Sequence, residues 1–79
     1  MKFRIVEKQF ENHTEFHPEW LCDNNKSCNY GWNSVHDSKL MTLPTKTYED
    51  SLKRIEWFSN CFQKPILEVI HLVFCFVLP

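Results

Sequence analysis

Hydrophobic positions in the second half of the chain recur every three or four residues. Between Thr47 and Gln63, Tyr48, Leu52, Ile55, Phe58 and Phe62 fall on one helical face, and Trp57 and Cys61 widen it. Thr47 is placed to cap this helix, and Asp50 puts negative charge near the positive end of its dipole. Glu49–Lys53 and Asp50–Arg54 are acid-before-base pairs one turn apart. Lys64-Pro65 stops the helix, because a residue preceding proline disfavours helical geometry. A helix this short needs a packing partner.

The first half alternates instead. Lys2 to Phe10 reads as a strand with Phe3 and Ile5 turned to the helix and Lys2, Arg4 and Lys8 outward. Glu11 to Thr14 suits a hairpin turn, and Glu15 to Cys22 resumes the alternation with Phe16, Trp20 and Cys22 on one face. Pro18 cannot donate to a ladder, which predicts an edge strand or a break. Asp23 to Ser27 is a turn by composition. Cys28 to Val35 is a third strand, with Cys28, Tyr30 and Trp32 on one face and a bulge at Gly31. A turn at His36–Lys39 leads to a short apolar piece, Leu40–Leu43. Ile66 to Val77 is a closing strand rich in Ile, Val and Phe. The order β-β-β-(β)-α-β defines a small α+β domain over residues 1–79: a mostly antiparallel sheet of three to five strands with one helix across one face.

At 79 residues the chain buries roughly 60% of its unfolded surface, so stability is modest, offset in part by 15% aromatics. A net charge of −1 without a basic run disfavours binding to a phosphate backbone. The Met1–Phe10 stretch has no continuous apolar core of the signal-peptide kind. That favours reduced thiols at Cys22, Cys28, Cys61 and Cys75 and a cytoplasmic setting; a disulfide framework is the alternative and requires export.

The closing run is interrupted by Glu68 and His71 and is too short to span a bilayer, so membrane insertion is disfavoured. It reads as a buried strand followed by an apolar tail, residues 72–79, expected outside the compact core. A strand apolar on both faces needs cover on both, which makes this segment a candidate contact between two copies of the chain.

His13, His17, Cys22 and Cys28 are the one set with metal-binding chemistry. The cysteine spacing is longer than a zinc knuckle uses and Pro18 follows His17 directly, so separate side chains are expected and neither metal nor cofactor. Ser34, His36 and Asp37 are adjacent in sequence, whereas a catalytic triad converges from different segments; no enzymatic activity is expected. Trp20, Tyr30 and Trp32 are the candidate binding residues. On the sheet face away from the helix they would form an aromatic interaction patch; under the helix they would be core.

Lys2-Phe3-Arg4-Ile5-Val6-Glu7-Lys8 resembles the first strand of short, uncharacterised proteins of tailed bacteriophages. Thr47 to Ile55 is similar to their helix, and Pro65 to His71 to their closing strand. The resemblance implies a small accessory protein, made in the bacterial host cytoplasm, that binds and modulates one host protein. It carries no site residues. A zinc-stabilised binding domain and a single-stranded nucleic-acid binder using sheet aromatics are the alternatives.

Overall fold

A computed structural model describes residues 1–23 and 30–76. Among these, four strands and one helix follow the order β1 (Lys2–Gln9), β2 (Thr14–Cys22), β3 (Gly31–Ser34), α1 (Tyr48–Cys61) and β4 (Glu68–Cys75). The sheet order is β3-β2-β1-β4. The first two pairings are antiparallel hairpin products, with Phe3 opposite Trp20 and Leu21 opposite Trp32. The third is parallel, with Phe3 beside Val69 and Val6 beside Leu72. The sheet is therefore mixed: a strand returning after a helical crossover meets β1 in the same direction, as β-α-β connections do.

The register sorts the side chains onto two faces. Phe3, Ile5, Phe16, Pro18, Trp20 and Val69 share the helix side. Phe3, Ile5, Val35, Ile55 and Phe58 form the buried core, with Phe16, Trp20, Tyr48, Leu52, Trp57 and Val69 packed around it. Phe58 is its hub: the Phe3 ring meets it edge-on at 6.2 Å, and the Trp20 ring stacks on it at 6.2 Å.

Pro18 lies in an interior strand, not at the edge its residue type suggests. Its carbonyl accepts a bond from the Val35 N–H at 2.9 Å, on the β3 side. A residue's N and O in a strand point the same way, so the absent N–H of Pro18 also faces that side and removes no bond to β1. The outer edge of β2 continues at Phe16, which exchanges two backbone bonds with Thr45.

Helix α1 begins as expected: the Thr47 side chain accepts from the Asp50 N–H at 3.1 Å. It ends two residues before the expected Gln63. The Lys64 N–H reaches the Ser59 carbonyl at 2.9 Å and the Gln63 N–H the Asn60 carbonyl at 3.4 Å, a Schellman closure with Gln63 left-handed at φ 53°.

Leu40–Leu43 forms no strand. Leu40 is left-handed at φ 62° in a turn where Asp37 Oδ1 accepts from the Lys39 and Met41 amides at 2.8 and 3.0 Å. These two bonds hold the Asp37 carboxyl below its ordinary value. Gly31 opens β3 at φ 103°, a conformation that disfavours any side chain. The expected start of β3 at Cys28, most of the turn Asp23–Ser27 and the tail end Val77–Pro79 lie outside the described residues.

Candidate functional site

The helix packs over β1 and β2, and among the described residues no helix covers the opposite face of the sheet, where Val6 is nonetheless buried by its neighbours. That face carries Lys2, Arg4, Val6 and Lys8 of β1, Glu15, His17, Glu19 and Leu21 of β2, Trp32 and Ser34 of β3, and Ile70, Leu72 and Phe74 of β4. Its centre is Arg4. The guanidinium sits 4.5 Å above the Trp32 ring and bonds Glu19 at 2.5 Å. Both Arg4 and Glu19 are about three-quarters covered, so the cation is held by ring and carboxylate together. Leu21 lies directly opposite Trp32 across the β2–β3 ladder.

The three expected aromatic residues do not form one patch. Trp20 is on the helix side against Phe58. Trp32 is on the bare face under Arg4. Tyr30 precedes β3 and is 77% exposed. The reason is the two-residue period of a strand: Trp32 pairs with Leu21, whereas Trp20 pairs with Asn33, so the two tryptophans take opposite faces. Arg4 escaped the sequence reading because its partner Trp32 is brought near only by the sheet.

The His/Cys set also divides. His13 and His17 do come together, around a residue outside the expected set. Their Nε2 atoms each lie 3.0 Å from a different oxygen of Glu15. Bonds from His13 and then His17 hold the Glu15 carboxyl below its ordinary value. Alternation at positions 13, 15 and 17 was the available signal. Cys22 is buried and disulfide-bonded, which corrects the expectation of a free thiol there; a disulfide sulfur does not ligate zinc as a thiolate does. Disulfides persist in oxidising compartments and are rare in a cytosol, so this bond does not fit the cytoplasmic setting from which reduced thiols were expected. Cys28 lies outside the described residues, and Cys61 and Cys75 are free and exposed. Among the described residues no group of three or more His, Cys, Asp or Glu side chains is arranged to hold a metal ion. None of the described helices is long and apolar enough to cross a membrane.

At the other side of the sheet, β4 is paired along one edge. Glu7 bridges to it: its carboxylate accepts from Gln9 at 2.6 Å and lies 2.8 Å from His71 Nε2, and both contacts lower its pKa. Tyr48 covers His71 at 4.7 Å between ring centres. Beyond His71, Leu72 is half-buried and the Phe76 ring stacks on Phe10, while Val73, Phe74 and Phe76 stay about half exposed.

Comparison with family models, curated proteins and solved structures finds no match.

Proposed function

We propose that this chain is a non-enzymatic accessory protein of bacteriophage type that binds and modulates a host protein, and that the contact is made by the bare sheet face around Trp32. The observation that carries this reading is the Arg4–Trp32–Glu19 arrangement on the helix-free face, beside half-buried Leu21. Trp and Arg are the residue types that dominate interface energetics when a partner covers them. Glu19 and the neighbouring strand hold Arg4 in place, so little side-chain entropy remains to be lost on binding. The bacterial host as the source of the partner rests on the sequence resemblance. The His13–Glu15–His17 cluster does not favour a zinc domain, since each imidazole already engages the carboxylate.

The test uses the immobilised chain and its Trp32→Ala variant against a bacterial lysate, followed by calorimetry with the retained protein. Trp32 lies outside the buried core, so the variant keeps its fold. A hot-spot contribution of about 2 kcal/mol predicts an affinity loss of roughly 30-fold. Lys53→Ala, on the exposed helix face, leaves affinity unchanged. Retention of no stoichiometric partner, or equal binding by Trp32→Ala, rejects the reading.

A further inference from the structure

We propose that the open edge of β4 pairs with the β4 edge of a second copy, antiparallel about a two-fold axis at Leu72, to give a continuous eight-stranded sheet. Three observations on β4 lead there. It is an edge strand of eight residues, bonded to β1 and to no other described strand. From Glu68 to Phe76 it contains no Lys, Arg or Pro, the residues with which exposed edges are ordinarily guarded. And it is apolar on both faces in the half that Tyr48 does not reach: Val73 is 53% exposed on the helix side, and Phe74 48% on the bare side.

The choice of a second copy follows from the self-complementarity of the strand. Residues opposite each other in an antiparallel pair share a face, and a two-fold axis at Leu72 satisfies this along the whole segment. On the bare face Leu72 meets Leu72 of the other copy, and Ile70 meets Phe74, an aromatic against a β-branched residue. On the helix side His71 meets Val73 and Val69 meets Cys75. Glu68 falls opposite Phe76, so no like charges oppose each other. An axis at His71 would instead set the two imidazoles face to face. The Leu72 register pairs residues 68 to 76 with one another. The apolar stripe of Val6, Ile70, Leu72 and Phe74 then runs unbroken across the junction. Edge pairing is an isologous, closed contact, so growth stops at two.

This surface is at the opposite edge of the sheet from Trp32, and its test is independent of the Trp32 reading. Light scattering is measured over a concentration series on the 79-residue chain. The mass is expected to rise from 9.6 kDa and level off at twice that value. Val73→Lys, which guards the edge without touching the core, is expected to weaken association at least tenfold with an unchanged circular dichroism spectrum. Register is read by disulfide trapping with Cys61 and Cys75 replaced by Ser. Leu72→Cys should form a covalent dimer under mild oxidation, because directly opposite strand positions lie within disulfide reach. Ile70→Cys and Val73→Cys should not, since neither faces itself. A constant 9.6 kDa at every concentration, open-ended growth beyond a dimer, or equal trapping at all three positions overturns the proposal. Should Val73→Lys lose its fold, the trapping pattern still decides. A strand from another protein on this edge would show as a monomer alone, and overturns it also.

Discussion

At the scale of single residues, the core is small enough for each buried atom to matter. Ile55 is fully buried, Leu52 half-buried and Lys53 exposed. Ile55→Asp is therefore expected to unfold the domain, since burying a carboxylate costs several kcal/mol against a modest total stability. Leu52→Asp should cost less, and Lys53→Ala should stay within about 0.5 kcal/mol; equal, small losses in urea melts of all three would mean that α1 has no packed face. Carboxylates set the acid limit. Bonds from Gln9 and His71 lower the pKa of Glu7, and bonds from His13 and His17 that of Glu15, each from an ordinary value of 4.5. A lowered folded value means stabilisation that is full above 4.5 and lost as pH falls through the folded value. Melting temperature should accordingly fall on the acid side of 4.5, and less steeply in a Glu7→Gln, Glu15→Gln double variant. The same cluster speaks to metal: with both imidazoles engaged by Glu15, excess chelator should leave the melting temperature unchanged, and zinc lost together with structure would reverse that reading.

At the scale of elements, helix and hairpin were legible because their signals are local. The three-to-four spacing of Tyr48, Leu52, Ile55 and Phe58 and the Thr47 cap need no knowledge of the fold. The helix end was less so. Proline at 65 marks where a helix must have stopped, whereas the stop itself lies at the Schellman turn, in which Gln63 takes a conformation glycine would adopt without strain. Gln63→Gly is therefore expected to stabilise the domain by about 0.5–1 kcal/mol, and Thr47→Ala to destabilise it by about 1 kcal/mol, both read by chemical denaturation. A destabilising Gln63→Gly would show that entropy gained by the unfolded chain outweighs the relieved strain. The position of Pro18 inside the sheet was not legible, because it depends on which side of β2 lacks a neighbour. Nor was the separation of Trp20 from Trp32, which follows from the pairing of β3 and from no pattern within it. The Arg4–Trp32 contact joins residues far apart in sequence and emerges only once three strands are aligned.

At the scale of the whole molecule, the decisive feature is that one helix serves a four-stranded sheet. α1 lies over β1 and β2, so β4 receives cover from Tyr48 at His71 and little beyond it. The core residues Phe3, Ile5, Val35, Ile55 and Phe58 all lie before this segment in sequence. Removing Phe74 to Pro79 takes away the strand positions beside Lys8 and Gln9 and the Phe76 ring stacked on Phe10 at 5.2 Å, and, among the described residues, none of the buried core. The truncated chain is therefore expected to fold, with a loss of stability confined to the end of the β1–β4 ladder. It should also lose the aromatic half of the apolar edge and remain a monomer where the 79-residue chain associates. Light scattering on both chains, with circular dichroism to establish folding, separates the two effects. A truncated chain that is unfolded would mean that β4 is needed to complete the sheet. A 79-residue chain that stays monomeric at high concentration would mean that an exposed apolar edge is tolerated without a partner, leaving the bare face around Trp32 as the surface to explain.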